Sequence, residues 1–111
     1  MKWIEGSITS VTGFSASGVA CGLKKNGKPD LAMIVCDRPA AAAGVFTKNV
    51  IKGHSLQRTM SVISNGQARA VVINSGNANA CVGEQGMADA DKMAELVAAK
   101  IGCKPSEVLT G

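Results

Sequence analysis

A layered architecture of the α/β or α+β kind follows from three features of the sequence. Residues 31–36 (Leu-Ala-Met-Ile-Val-Cys) and 68–73 (Ala-Arg-Ala-Val-Val-Ile) form apolar runs that read as buried strands. Asn26-Gly27 lies between apolar segments, a strong hairpin signal because both residues tolerate positive φ. Residues 87–101 place Ala90, Met93, Ala94, Val97 and Ile101 on one face at helical spacing. Strands interspersed with helices bury their apolar faces by stacking in layers. A chain of 111 residues has room for one domain, and residues 1–111 read as a single partial domain, a piece of a longer polypeptide. Hydrophobic residues make up 46% of the chain and aromatics only 3% (Trp3, Phe14 and Phe46), so aliphatic side chains must fill the core.

The elements are expected in the following order. Residues 7–14 (Ser-Ile-Thr-Ser-Val-Thr-Gly-Phe) are β-prone and broken by Gly13, which predicts a short strand leading into a turn. Residues 18–23 and 31–36 flank the Asn26-Gly27 turn, and the second run, being continuous, predicts a strand covered on both faces. Asp37-Arg38-Pro39 should end that strand, and residues 40–47, closing on Gly-Val-Phe-Thr, predict another. Within 54–65, Leu56, Met60 and Ile63 mark one face of a short helix closed by Gly66. The strand at 68–73 runs directly into Asn74-Ser-Gly-Asn-Ala-Asn-Ala-Cys81, and Gly83 and Gly86 carry irregular backbone as far as Met87. Asp89 and Asp91 suit the positive end of the 87–101 helix, Lys100 and Gly102 its negative end. Residues 107–110 begin a last strand-like stretch, and the sequence stops at Gly111 as a piece of a longer polypeptide would.

Composition and charge narrow the function. The net charge is +4, with nine basic against three acidic residues in 1–80 and three against five in 81–111. A nucleic-acid partner is not expected, because the only basic cluster is Lys24, Lys25 and Lys28 and aromatics for stacking are scarce. No run approaches the roughly 18 apolar residues of a membrane span. The start Met1-Lys2-Trp3-Ile4-Glu5 has neither an apolar signal core nor an Arg-rich transit pattern, so a cytoplasmic protein without a membrane partner is expected. Cys21, Cys36, Cys81 and Cys103 form no Cys-x-x-Cys knuckle and His54 is the single histidine, so no metal is expected and the cysteines read as small buried hydrophobes.

Several apparent motifs carry no chemistry. Gly22-Leu-Lys-Lys-Asn-Gly27-Lys28-Pro29 nearly matches a phosphate loop, but Pro29 stands where the hydroxyl ligand should be and an apolar strand follows in place of a helix. His54, at a polar helix start, reads as a surface residue, and Met60 and Met93 read as core filler. The segment after residue 73 differs, with Asn74, Asn77 and Asn79 close to Ser75 and Gly76. Asn side chains donate, accept and tolerate the left-handed region, so this loop can lock itself or present amides to a ligand.

The block Asn74-Ser-Gly-Asn-Ala-Asn-Ala-Cys81, with Gly83, Gln85-Gly86 and Asp89-Ala90, resembles the signature of the ornithine acetyltransferases. Gly13-Phe14, Gly18-Val-Ala-Cys-Gly22, Asp30-Leu-Ala-Met-Ile34 and Ala43-Gly-Val-Phe-Thr47 resemble that family's opening segment in the same order. The resemblance spans essentially the whole chain. It implies a layered sandwich resembling that of N-terminal-nucleophile hydrolases, and transfer of acetyl from N-acetylornithine to glutamate in arginine biosynthesis. Bifunctional members also accept acetyl-CoA as donor; no bound cofactor is implied. The family precursor cuts itself before a threonine that becomes the nucleophile of the β chain, and members assemble as α2β2. That threonine lies later than residue 111. A Thr-Gly pair in a Ser-Thr-Gly-Val-Ile-Gly run supplies the family's oxyanion donors. Thr110-Gly111 is a candidate for that pair, but Leu109 precedes it, so the run is expected just past Gly111. Asn74, Asn77 and Asn79 are the candidates for an active-site loop. The alternative is a truncated, non-catalytic module of the same fold that binds a small molecule.

Overall fold

A computed structural model describes residues 3–20, 30–74 and 83–111, apart from the side chains of 83–85. Four strands form one sheet in the order β1 (Phe14–Val19), β2 (Leu31–Ala41), β3 (Gln67–Asn74) and β4 (Val108–Thr110). β1 and β2 pair antiparallel, from Phe14 opposite Cys36 to Val19 opposite Leu31. β2 and β3 are also antiparallel, whereas β3 and β4 are parallel, with Ala70 opposite Val108 and Val72 opposite Thr110. A parallel pair needs a crossover, and here helix α2 (Gly83–Ile101) provides it. Helix α1 (His54–Val62) lies between β2 and β3 in sequence and packs against both α2 and β4.

Alternation along β3 divides the sheet into two faces. Ala68, Ala70 and Val72 are buried, while Arg69 and Val71 are half-buried and Ile73 is exposed. On the first face Ala70, Val72 and Val108 meet Ala94 and Ala98 of α2, with Leu31, Val35, Met93, Val97 and Ile101 packed around them. Alanines at the centre let α2 approach the sheet closely, and Val108 is the largest side chain fully buried there. On the second face Phe14, Ile34, Cys36, Val71 and Leu109 line a shallow apolar recess of about 150 Å³. Residues 31–36 are therefore packed by a helix on one face only among the described residues, not on both as their continuous apolar run predicts.

Other expectations also need correction. Ile8–Ser10 is a 3-10 turn, because the Ser10 hydroxyl accepts the Ser7 N–H at 3.1 Å and the Ser7 and Thr9 hydroxyls pair at 2.9 Å. Local hydroxyl bonds of this kind compete with strand pairing. Gly13, at φ +91, then turns the chain so that the first strand starts at Phe14. Asp37-Arg38-Pro39 does not end β2. A register shift between Val35 and Ala40 takes these residues out of the β3 ladder, so the missing N–H of Pro39 costs no pairing. Arg69 fills the gap with two hydrogen bonds to the Cys36 carbonyl, at 3.2 and 3.3 Å. Beyond Ala41, residues 42–49 form no strand, and Val45 is 99% exposed. The Phe46 ring folds back over Gly44, where a Cβ would sit 2.7 Å from the ring, so the alternation a strand needs is absent.

Of the expected hairpin, Gly18 and Val19 pair with Ala32 and Leu31 at the end of a strand that begins earlier, at Phe14, while the rest of the first arm from Cys21 and the turn at Asn26-Gly27 lie outside the described residues. α1 continues into a 3-10 turn at Ile63–Asn65 and closes on Gly66 at φ +72, as the sequence indicates. α2 begins at Gly83, not at Met87. Asp89 and Asp91 therefore lie in its second and third turns, beyond the reach of the N-terminal dipole. The final strand-like stretch is a 3-10 turn at Pro105–Glu107 followed by β4.

A Cβ added at Gly66 would meet nothing within 4 Å, so its replacement probes the backbone conformation alone. Gly66→Ala is expected to lower stability by about 1–2 kcal/mol, and Gly66→Asn by less. Chemical denaturation of the two variants checks this.

Candidate active site

Because β3 and β4 run parallel, the segments that follow them leave from the same end of the sheet. Gly111 donates its N–H to the Val72 carbonyl at 2.9 Å and accepts the Asn74 N–H at 3.0 Å. The structure thus brings Asn74, the first residue of the asparagine-rich block, against Gly111. In open α/β sheets the region outside the carboxyl ends of parallel strands is the usual place for a ligand. Asn77 and Asn79 lie outside the described residues.

Helix α1 covers the edge of β4 that β3 does not pair. Ser55, Arg58 and Thr59 sit at i, i+3 and i+4 and are buried, whereas Leu56, Met60 and Ile63, the face the sequence selects, are only half-buried. The buried face is polar because it meets the outer edge of β4. Thr59 Oγ1 donates to the Thr110 carbonyl at 2.8 Å and accepts the Thr110 N–H at 2.9 Å. Arg58 donates from one terminal nitrogen to the Val108 carbonyl and from the other to the Pro105 carbonyl at 2.7 Å. Its Nε forms an ion pair with Asp91 Oδ1 on α2 at 3.2 Å. Burial lowers the Arg58 pKa from its ordinary value, and Asp91, with Glu95 behind it, pushes the other way.

Thr110 is buried, and its hydroxyl donates to the Ser55 carbonyl at 2.9 Å. Its N–H, its hydroxyl and the N–H of Gly111 are therefore all engaged inside the fold. His54, read from the sequence as a surface residue, is half-buried, and neither ring nitrogen has a partner among the described residues. Cys36 is buried and Cys103 half-buried, both as free thiols; Cys21 and Cys81 lie outside the described residues. Burial pushes the Cys103 thiol above its ordinary pKa, Glu107 adds to the shift and Arg69 opposes it. Among the described residues no three His, Cys, Asp or Glu side chains gather as metal ligands.

Sequence reasoning missed Ser55, Arg58 and Thr59. The available signal was their shared helical face, which apolar periodicity passes over by construction.

A mixed sheet with helix α2 packed on one face, and a parallel pair of strands whose carboxyl ends bring Asn74 and Gly111 together, is part of a layered sandwich like that of the N-terminal-nucleophile hydrolases. Residues 15–111 match the ArgJ family, and the chain belongs to it. It is 46% identical over 107 residues to the arginine biosynthesis bifunctional protein ArgJ of Symbiobacterium thermophilum, covering 95% of this chain and 27% of that one. The ArgJ protein of Bacillus cereus is 50% identical over 108 residues, covering 96% of this chain and 26% of its own length. The crystal structure of ArgJ from Bacillus halodurans superposes with a TM-score of 0.90 at 39% identity, over 95% of this chain and 55% of that chain. Ornithine acetyltransferase from Mycobacterium tuberculosis, solved in complex with ornithine, gives 0.89 at 43% identity, over 93% of this chain and 56% of that chain. The chain thus spans about a quarter of the length of these relatives and just over half of the solved chains.

Arg58→Met would leave the buried Val108 carbonyl without a donor, and is expected to cost about 2–3 kcal/mol. The Asp91 side chain is 56% exposed, so Asp91→Asn is expected to cost under about 1 kcal/mol. Urea denaturation ranks the two. Cys103 is expected to alkylate more slowly than an unfolded cysteine at about pH 8, as mass mapping of iodoacetamide adducts would show.

Proposed function

We propose that this chain is the front part of the α chain of an acetyltransferase that moves an acetyl group from N-acetylornithine to glutamate in arginine biosynthesis. The observation that carries this reading is the meeting of Asn74 and Gly111 at the carboxyl ends of β3 and β4, in a chain 43% identical to an ornithine acetyltransferase that binds ornithine. In this reading a threonine hydroxyl from a later segment attacks the acetyl carbonyl, and its own α-amine takes the proton. Ornithine leaves, and the glutamate amine then attacks the acetyl-threonine ester. Acetyl-CoA is a candidate second donor, and no resident cofactor takes part.

The present residues act as a frame for that chemistry. The donors of Thr110 and Gly111 are spent within the fold, which supports placing the oxyanion pair after Gly111. In this reading Asn74, Asn77 and Asn79 contribute side chains to the active site. The apolar recess on the second face of the sheet suits burial beneath a further layer supplied by the remainder of the protein. Self-cleavage into α and β chains, an α2β2 assembly and a cytoplasmic location belong to the same proposal. Among the described residues no helix is long and apolar enough to cross a membrane.

The full-length gene product is expected to transfer acetyl from N-acetylornithine to glutamate with ping-pong kinetics. Its intact mass should show two unequal chains, the smaller starting at threonine. Residues 1–111 alone are expected to show no turnover; absence of transfer by the full-length protein overturns the assignment. In that protein Asn77→Ala or Asn79→Ala is expected to lower kcat by at least about tenfold with little change in Tm. A fall in Tm without loss of kcat would make the loop purely structural.

A further inference from the structure

The geometry points to Thr59 as a positioning residue, whose hydroxyl replaces a missing strand on the outer edge of β4 and fixes where the chain leaves Gly111. The inference rests on the reading that the oxyanion donors follow Gly111. β4 has only three residues, and β3 pairs with just one of its edges. The groups that point away from β3 are the Val108 carbonyl and the N–H and carbonyl of Thr110. In a sheet another strand would satisfy all of them. Here Arg58 takes the Val108 carbonyl, and the single oxygen of Thr59 both accepts from the Thr110 N–H and donates to the Thr110 carbonyl. One hydroxyl has the donor and acceptor capacity for both roles.

Thr59 makes the last contact on the outer edge before Gly111, while the Gly111 N–H and carbonyl hold the inner edge to Val72 and Asn74. The strand is therefore pinned from both sides up to its final residue. Oxyanion donors act only when held close to 3 Å from the developing charge. A misplacement of about 1 Å, even by a change remote from the chemistry, can cost about a hundredfold in rate.

The test uses the full-length enzyme. Thr59→Val keeps the side-chain shape and removes the hydroxyl, Thr59→Ser keeps the hydroxyl, and Val35→Ala loosens the core on β2 as a stability control. Thr59→Val is expected to lower kcat by about 10- to 100-fold with KM for both substrates within about threefold, and to speed hydrogen exchange at the Thr110 amide. Thr59→Ser should stay within about threefold of wild-type kcat. Val35→Ala should lose Tm without losing kcat. Wild-type kcat in a Thr59→Val enzyme overturns the proposal, as does a loss of kcat in Val35→Ala that tracks Tm in the same proportion. If Thr59→Val fails to fold, Thr59→Cys, a weaker and longer-reaching partner, is expected to give a kcat below that of Thr59→Ser; equal values overturn the proposal. A folded wild type that transfers no acetyl group defeats the acetyltransferase reading instead, and exchange at the Thr110 amide then decides the role of Thr59.

Discussion

The structure depends on how the outer edge of β4 is satisfied. A three-residue strand with one paired edge exposes carbonyls and an N–H that must find partners once α1 covers them. α1 brings Arg58 and Thr59 to that edge, and the arrangement then constrains its surroundings. The inner face of α1 has to be polar. Ser55 has to leave its carbonyl open to the Thr110 hydroxyl. Asp91 has to stand on α2 where it offsets part of the cost of burying the guanidinium. Desolvating Arg58 offsets part of what its hydrogen bonds contribute, and the same bonds hold β4 in position. Bulk stability comes instead from the alanine-rich contact between α2 and the sheet, where Ala94 is 0% exposed.

The sequence was most legible where one face is apolar and the other is not. β3 and the second half of α2 stand where periodicity places them, and Gly66 ends its helix where a left-handed residue is needed. It was least legible where side chains bond to backbone. The hydroxyls of Ser7, Thr9 and Ser10 bond locally and hold the segment in a turn, although Ile8 and Thr9 favour a strand. Pro39 looked like a strand terminus because Pro cannot enter a ladder, yet a bulge bridged by Arg69 lets β2 continue around it. In α1 the apolar stripe of Leu56, Met60 and Ile63 is the less buried face, because the partner it meets is a bare strand edge and not a sheet face. Such a preference is set by tertiary contact and leaves no periodic trace.

The candidate site was legible by a different route. Its asparagine block was recognisable as a signature, but nothing in the pattern tells which part of the chain faces it. Thr110-Gly111 shows the difference: as a dipeptide it offers donors suited to an oxyanion, and in the fold each of those donors has a partner. Residue type fixes what chemistry is available, whereas engagement by neighbours fixes what remains free to act.

The meeting of Asn74 with Gly111 is a consequence of topology. Had β4 paired antiparallel to β3, the segments after the two strands would leave at opposite ends of the sheet, and no choice of side chains could bring them together. The pair is parallel because α2 returns the chain to the opposite end before β4 begins. The long helix thereby places Asn74 and the exit from β4 side by side. α1 then determines how firmly that exit is held, since its Ser55, Arg58 and Thr59 grip β4 on the edge that β3 does not pair. The crossover sets which loops can form a common site, and the polar face of the shorter helix sets the precision with which they meet.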